Sequence, residues 1–445
     1  MTLKNSIIRF AAVLALLLAP VGPAFSADLA APTPLLDVRA SYNLLMQSAY
    51  APVQSQRLLD GARSALEVLA QKHHLHLTLA TMNATNDTGN ISQINAAIQV
   101  FSAQSHLPLD DVAYTAISGM AKAMGDKWTQ FFTPQQLREF DQELDPTKIF
   151  GIGVMIQEEA SHKYTRANFV VPGGPAEIAG LRPGDIFLAV DGKSLANIPI
   201  EAVSERLRGH NGTVVHLTIE RPGVANPLQL TMTRAAITPP TATFKMLPND
   251  VGYIELFTFG ETTPDQVAVA LQRLDQQGAR AYVLDLRGNG GGFVKSAINI
   301  LNYFQSAETA LIVKERGREP QIVQTEDGPV EHKPLVVLVD GHTASASEIT
   351  AGALRDNGLA ILVGEKTYGK GVMQTLTTLP GEAGIKITTA HYLTPGKHDI
   401  NLRGIQPDVV VAENKAPIFG DPSKDAQLRA ALDYLQKKIA YRKPL

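Results

Sequence analysis

The spacing of apolar side chains divides the chain into segments of different periodicity. Between residues 37 and 132, apolar residues return every three or four positions, which is typical of helices that bury one face. Residues 82–92 (MNATNDTGNIS) are polar and turn-forming, so we expect a loop there. Packing alone accounts for this pattern, and we assign no chemistry to the helical N-terminal region, residues 27–135.

The pattern changes to short apolar runs and glycine turns between residues 150 and 233, which indicates β-strands. Three motifs follow one another: residues 150–156 (FGIGVMI), residues 174–186 (GPAEIAGLRPGDI) and residues 190–192 (VDG). In this order they resemble a PDZ domain, which we predict at residues 136–236.

The resemblance to PDZ domains implies a binding site for a peptide tail. In such domains a glycine loop presents backbone N–H groups to a C-terminal carboxylate, and the next strand pairs with the peptide. A plain turn at the two glycines is the alternative. The residues that the resemblance assigns to tail binding are Phe150, Gly151, Ile152, Gly153 and Val154.

A glycine-rich junction joins a strand to a helix in the second half of the chain. The apolar residues 281–287 (AYVLDLR) run into residues 288–292 (GNGGG), and a helical pattern follows. Such a loop directs N–H groups toward an anion. A nucleotide-binding motif does not fit, because Phe293 occupies the position of its third glycine and no glycine precedes Lys295. We therefore expect the anion to be a developing oxyanion.

A second junction carries Ser345. The apolar residues 334–340 (PLVVLVD) end in a turn, and a helix is predicted from Ala346 to about Asp356. Residues 345–348 (SASE) are also a capping box, in which a serine only caps the helix. The two roles are compatible, because a helix start stabilises negative charge.

Lys370 is the candidate base for this serine. It lies in residues 368–371 (YGKG), a turn between the apolar residues 360–364 and the extended residues 372–374. Partial burial lowers the pKa of a lysine, and the neutral amine can then accept a serine proton. His342 is too close in sequence to Ser345 to serve as an in-line base, and we interpret it as a loop residue.

Four motifs in the second half resemble the C-terminal processing (tail-specific) serine proteases, which combine a Ser–Lys dyad with an inserted PDZ domain. They are residues 285–292 (DLRGNGGG), 345–349 (SASEI), 364–374 (GEKTYGKGVMQ) and 404–408 (GIQPD). The resemblance implies an α/β multidomain fold. Its parts would be the helical region, a β-rich PDZ domain with short helices, and a crotonase-like α/β core at residues 237–415. A C-terminal helix would follow at residues 416–445, and residues 110–135 would pack on the core.

The same resemblance assigns roles to individual residues. Ser345 would be the nucleophile and Lys370 the general base, with Gln374 orienting the lysine. The backbone N–H groups of Gly291 and Ala346 would form the oxyanion hole, with Gly292 as the alternative to Gly291. Asp356 matches an aspartate of some relatives, and we expect it to be structural.

Composition excludes several other classes of function. The net charge of -3 and the lack of a basic run argue against nucleic acid. The chain has no cysteine, so burial of a core and not disulfides must stabilise it. Its histidines fit no zinc spacing, and we predict neither a metal nor another cofactor.

The N-terminus has the pattern of a cleaved signal peptide, residues 1–26. Lys4 and Arg9 precede the apolar residues 10–19, and small residues around Ala24 and Ser26 allow cleavage before Ala27. The apolar run is too short to cross a bilayer, which takes about 20 residues. We therefore predict export, to a bacterial periplasm.

These observations predict an exported serine endopeptidase that acts on proteins with free, unfolded, apolar C-termini. A catalytically silent PDZ adaptor is one alternative, but intact Ser345, Lys370 and Gln374 count against it. A crotonase-like enzyme for acyl thioesters is another, and the signal peptide and PDZ motifs count against that. An adaptor lipoprotein as partner and self-association as a homo-oligomer stay open.

Overall fold

The computed structural model describes residues 32–75, 81–144, 149–158, 163–412 and 420–441. The predicted signal peptide lies outside the described residues. The helices and strands are, in chain order, α1 Thr33–Ser48, α2 Ser55–Lys72, α3 Asp87–Ser105, α4 Leu109–Ala123, β1 Gln130–Phe132, α5 Pro134–Leu144, β2 Ile149–Gly151, β3 Val154–Glu158, β4 Thr165–Val170, α6 Pro175–Ile178, β5 Ile186–Val190, β6 Lys193–Ser194, α7 Ile200–Leu207, β7 Val214–Glu220, β8 Leu228–Thr233, β9 Ala235–Ile237, β10 Ala242–Leu247, β11 Val251–Leu256, α8 Thr263–Gln276, β12 Ala281–Asp285, α9 Val294–Leu301, β13 Thr309–Glu315, β14 Gln321–Gln324, β15 Leu335–Val339, α10 Ala346–Asp356, β16 Ala360–Gly364, β17 Val372–Thr378, β18 Gly384–Leu393, β19 Val409–Val410 and α11 Ala426–Tyr441.

The chain forms two compact units. The first unit contains the described residues up to Phe140 together with Val313–Gln321 and Gly371–Tyr392. The second unit contains Asp141–Ile312, Ile322–Lys370 and the described residues from Leu393 onward. Each unit has its own buried core.

Helices dominate the first unit, as the three- and four-residue spacing predicts. Helices α1 to α4 pack on one another, and Leu58, Ile98 and Ile117 are fully buried between them. Ile385 and Ile387 of β18 belong to the same core. Strand β18 pairs antiparallel with β1 and with β17. Residues 372–374, which the motifs alone group with the protease core, are part of this sheet.

The second unit begins with the β-rich segment that carries the PDZ motifs. Its strands are ordered β3-β4-β5-β7-β8, and β6 pairs with β5. Alternate residues of β7 are buried, which places Val215, Leu217 and Ile219 in the core of this sheet. Strand β3 is an edge strand, and helix α7 lies against it.

A second, mostly parallel sheet forms the other part of the second unit. Its order is β10-β11-β12-β15-β16-β19, and only β10 runs antiparallel to its neighbour. Strands β12 and β15 are buried along their whole length, as expected of central parallel strands. Helix α11 packs its apolar side, including Leu428 and Leu435, on this sheet. The predicted α/β multidomain class is confirmed.

Candidate active site

Ser345 occupies the sharp turn between β15 and α10. Its backbone angles are φ 58° and ψ -117°, although a residue with a side chain rarely adopts a positive φ. Such a conformation costs about 1–3 kcal/mol and persists only where the surrounding structure imposes it. The turn places Ser345, which is half-buried, directly before the first N–H groups of α10.

Glu348 imposes this geometry on both predicted catalytic residues. Its fully buried carboxylate accepts hydrogen bonds through Oε2 from Ser345 N–H at 3.0 Å and from Lys370 N–H at 2.8 Å. Its Oε1 accepts from the Thr367 hydroxyl at 2.5 Å and from Gly369 N–H at 2.8 Å. One carboxylate oxygen therefore holds the backbone of Ser345 and of Lys370 together.

The turn that carries Lys370 is held by glycine and by backbone hydrogen bonds. Gly369 has φ +87°, and a Cβ there would lie 2.6 Å from Gly404 N, so only glycine fits. Leu402 N–H donates to Gly369 O at 2.8 Å, and Tyr368 N–H donates to Thr343 O at 3.0 Å. Lys370 itself is half-buried at the end of this rigid turn.

Asn289 organises the glycine-rich loop opposite Ser345. Its side chain is fully buried, donates to Leu256 O at 2.8 Å and accepts from Gly291 N–H at 2.9 Å. Its carbonyl oxygen accepts from Ala344 N–H at 3.1 Å and from the Ser347 hydroxyl at 3.0 Å. Asn289 therefore joins the loop to the turn of the predicted nucleophile.

The loop and the serine turn approach each other closely. A Cβ on Gly291, whose φ is +103°, would lie 2.9 Å from Ser345 Cβ and 2.9 Å from Ala346 N. Gly291 N–H is engaged by Asn289, whereas the N–H groups of Gly292 and Ala346 have no acceptor among the described residues. The structure thus leaves Gly292 and Ala346 open to an oxyanion.

A buried charge network lies at the base of this loop. The Arg287 guanidinium is fully buried and bonds Asp285 at 2.6 Å and Asp425 of the C-terminal segment at 2.6 Å. Gln427 accepts a further hydrogen bond from it at 3.0 Å. Tyr253 donates its hydroxyl proton to Asp285 at 2.6 Å. The start of α11 thus anchors the residue that precedes the glycine loop.

Glu255 makes the stability of this network depend on pH. Burial, and next the charge of Asp285, raise the Glu255 pKa from 4.5 to about 7. The folded state therefore holds a proton that the unfolded state releases above pH 4.5, so stability falls as the pH rises from about 5 to 7. We expect Glu255→Gln to raise the free energy of unfolding at pH 8 by up to about 3 kcal/mol. Urea unfolding at pH 5 and pH 8 measures this.

The matched control for this prediction is Glu261→Gln, which neutralises an exposed carboxylate. It should retain the pH dependence of the unsubstituted protein. A Glu255→Gln variant with that same pH dependence would contradict the assignment of the raised pKa to Glu255.

The predicted tail-binding residues span the end of β2, a two-residue connection and the start of the edge strand β3: Phe150 and Gly151 lie on β2, Ile152 and Gly153 in the connection, and Val154 on β3. Phe150 is exposed, Ile152 is buried, and Gly153 has φ +78°. The N–H groups of Ile152 and Gly153 meet no acceptor among the described residues, as a loop that receives a carboxylate requires. Arg208 lies beside this loop, because a Cβ on Gly151 would be 3.9 Å from its Cγ.

The remaining candidates are Gln374 and Asp356. Gln374 lies on β17 in the first unit, at a register shift, and its Nε2 is buried without a hydrogen-bond partner among the described residues. Asp356 accepts from the Thr394 hydroxyl and from Gly396 N–H, which are contacts of a structural residue. Among the described residues, no cluster of side chains could hold a metal ion.

Known proteins are similar to this chain over the segment that carries the site. The sequence matches the peptidase family S41 over residues 250–411 and the PDZ domain over residues 168–221. It is 38% identical over 335 residues to a carboxyl-terminal-processing protease of Picosynechococcus sp., covering 74% of this chain and 80% of the relative. The chain belongs to the S41 peptidase family.

A relative from another bacterium agrees with this assignment. The carboxy-terminal processing protease CtpA of Bacillus subtilis is 31% identical over 334 residues, covering 74% of this chain and 71% of the relative. The solved structure of the photosystem II D1 C-terminal processing protease matches with 28% identity and a TM-score of 0.41, covering 81% of this chain and 94% of that chain. The predicted family, the PDZ domain and the class of enzyme, a serine-type C-terminal processing peptidase, are confirmed.

The motifs contain two residues, Glu348 and Asn289, to which the sequence analysis assigned no role and which hold the site together in the structure. Glu348 matches the last position of a capping box, which conceals its contacts to the lysine turn. Asn289 stands among glycines, where a polar residue is unremarkable. Both residues are buried polar side chains that join two turns of the chain. A short motif does not show which of its residues are buried, so the motifs did not reveal these roles.

Proposed function

We propose that this S41 peptidase is an exported endopeptidase with a Ser345–Lys370 dyad, and that its PDZ loop recognises apolar C-terminal tails. The main support for the dyad is a pair of hydrogen bonds: the backbone N–H groups of Ser345 and Lys370 both donate to Glu348 Oε2. This contact holds a strained serine and a rigid lysine turn in one fixed arrangement.

The reaction follows from these positions. Ser345 Oγ attacks the peptide carbonyl and gives its proton to the neutral Lys370 amine. The N–H groups of Ala346 and Gly292 stabilise the oxyanion, and Gly291 N–H could contribute only after leaving Asn289. Lys370 then protonates the leaving amine and later takes a proton from the water that hydrolyses the acyl-enzyme. In this proposal Gln374 retains the role of orienting the lysine.

Tail recognition is supported by the loop before β3. Its unpartnered N–H groups can receive a carboxylate, and the free edge of β3 can pair with an extended peptide. Arg208 supplies a nearby positive charge. Substrates are therefore proteins with free, unfolded C-termini.

Export rests on the sequence of residues 1–26. The part of the chain that the structure describes contains no helix with the length and hydropathy to cross a membrane. An adaptor lipoprotein and self-association stay predictions.

The decisive experiment compares the protein lacking residues 1–26 with its Ser345→Ala variant. Each is incubated with one unfolded polypeptide that ends in apolar residues, with either a free carboxylate or a C-terminal amide, and the products are mapped by mass spectrometry. We expect cleavage to require Ser345. We also expect the amide to be cleaved roughly tenfold or more slowly, because charge-assisted hydrogen bonds to the tail are lost.

Each half of the proposal can fail separately. Undiminished cleavage by Ser345→Ala would exclude Ser345 as nucleophile. Equal cleavage of the two tails would exclude recognition of the carboxylate.

A further inference from the structure

A cavity of about 420 Å³ lies within the second unit, beside the segment that leads from the PDZ domain to β10. Its volume falls in the range of ligand sites, about 300–1,000 Å³. Its apolar lining comes from four elements, with Phe169 on β4, Ile237 on β9, Phe244 on β10 and Val269 on α8. Among the described residues that line it, none belongs to the predicted tail site or to the dyad.

Fixed contacts hold the walls of this cavity in place. The rings of Phe169 and Phe244 meet edge to face, with their centroids 5.6 Å apart. Glu177 accepts from Gly173 N–H, on the cavity wall, at 2.8 Å and forms an ion pair with Arg273 of α8 at 3.1 Å. The cavity is therefore formed before any ligand enters, so binding does not require the walls to be ordered first.

Strand β9 has an open edge at this cavity. The sheet that contains β9 has two strands, and Ala236 of β9 faces Phe150 of β2. Phe150 O accepts from Gly209 N–H at 3.3 Å, so the backbone polar groups of Phe150 point away from β9. In an antiparallel pair, the residue opposite such a residue also points its N–H and C=O away from the partner strand. Ala236 therefore directs both groups to the open edge.

The open edge of β9 is suited to receive an extended chain. Ala236 is exposed and lines the cavity, and its N–H and C=O meet no partner among the described residues. Unpaired strand edges are templates for pairing with another chain. In such pairing the backbone hydrogen bonds supply affinity, and pockets beside the edge accept alternate side chains. The ligand class is therefore an extended peptide with apolar side chains.

The charge at the cavity favours a basic residue in that peptide. Asp265, in the first turn of α8, lines the cavity and is exposed. Its carboxylate has no ion pair with a described residue, and no lysine or arginine is among the described residues that line the cavity. A cation on the peptide would thus meet a complementary charge.

We propose that the open edge of β9 and this cavity form a second peptide-binding site, which binds an extended, apolar segment of the substrate that carries a lysine or an arginine. The inference rests on the proposed function in that the segment belongs to an unfolded substrate. The segment pairs with Ala236, packs apolar side chains against Phe169 and Phe244, and brings its cation to Asp265. Because the segment lies inside the substrate chain, this site needs no free C-terminus.

The test measures binding of a peptide to the protein lacking residues 1–26 and carrying Ser345→Ala, so that the peptide is not cleaved. The peptide alternates valine and serine, contains one lysine, and carries fluorescein at its N-terminus and an amide at its C-terminus. It therefore offers no carboxylate to residues 150–154. We expect saturable binding by fluorescence anisotropy. An excess of an unlabelled peptide with a free apolar C-terminus should leave the probe bound, because the two sites are separate.

Ala236→Pro removes the N–H group from the open edge. The pairing of β9 with β2 does not use this N–H, and edge strands accept proline at such positions. Affinity for the lysine peptide should fall about tenfold, because one hydrogen bond is lost and the ring obstructs the edge. Ala236→Ser is the matched control, since it retains the N–H with a side chain of similar size, and it should bind as the unsubstituted residue does.

Asp265→Lys tests the charge without altering the strand. Affinity for the lysine peptide should fall about fivefold, and a peptide with glutamate in place of the lysine should now bind more tightly than the lysine peptide. The control is Glu261→Lys, which reverses an exposed charge outside the cavity lining and should retain the preference for the lysine peptide. Because Asp265 is exposed, this variant decides the question even if Ala236→Pro does not fold.

Three results would overturn the second site. They are displacement of the probe by the free-tail peptide, which would place the probe at the β3 edge, unchanged affinity in folded Ala236→Pro, and an unchanged charge preference in Asp265→Lys. None of them bears on the dyad, because cleavage that depends on Ser345 is measured separately on a substrate with a free tail. Loss of that dependence would overturn the proposed function and leave the binding result standing.

Discussion

Lys370→Cys should lose at least about 10⁴-fold in kcat, and alkylation of that cysteine with 2-bromoethylamine should restore much of the loss. Without an amine at this position, no base takes the proton of Ser345 during attack. Aminoethylation regenerates a side chain of nearly the length of lysine. Because the chain contains no cysteine, the reagent modifies a single thiol.

The control is Lys366→Cys in the same turn, where the native lysine is exposed. Its activity should remain near that of the unsubstituted protein before and after alkylation. Hydrolysis of a fluorogenic peptide provides kcat in each case. A Lys370→Cys variant that remains active without alkylation would exclude Lys370 as the base.

Glu348→Gln should lower kcat about 100-fold or more and the free energy of unfolding by about 2–4 kcal/mol. The carboxylate accepts four hydrogen bonds, whereas a glutamine amide has one acceptor oxygen and an NH₂ group that can only donate. The NH₂ group of the glutamine then faces two buried donors that had bonded a carboxylate oxygen, and these donors lose their acceptor. The Ser345 and Lys370 backbones lose their shared partner, and an error of about 1 Å in their positions explains the loss of rate.

Urea unfolding and steady-state kinetics on the same preparation measure both effects. Thr367→Val is the control, because it removes one of the four donors and leaves the contacts to Ser345 and Lys370 in place. It should change kcat much less than Glu348→Gln does. If both variants show similar rates, Glu348 does not position the dyad.

Local patterns carried most of the functional interpretation. The glycine loop, the serine at a helix start and the lysine between glycines are short motifs, and each depends on residues close in sequence. The PDZ motifs and the helical spacing are likewise local. Family, fold class and enzyme class could therefore be predicted before any contact was known.

Contacts between distant residues could not be predicted in this way. Asp425 lies 138 positions from Arg287, and Thr241 lies 22 positions from Thr263, yet each pair shares a buried hydrogen bond. Gln374 shows the same limit, because its motif adjoins Lys370 while its strand belongs to the sheet of the first unit. The free energy of such contacts arises from burial, which depends on how whole elements pack.

Residue types and short motifs were enough to identify the chemistry of this chain, a peptidase with a candidate serine, a candidate lysine and a PDZ domain. How these groups are held, by the Glu348 carboxylate, the Asn289 side chain and the backbone of residues 257–260, is visible only in the folded chain. The reason is physical, since residue types and short-range periodicity define what a segment can do. Only the folded chain brings buried polar groups within hydrogen-bond distance and so selects which N–H groups remain open.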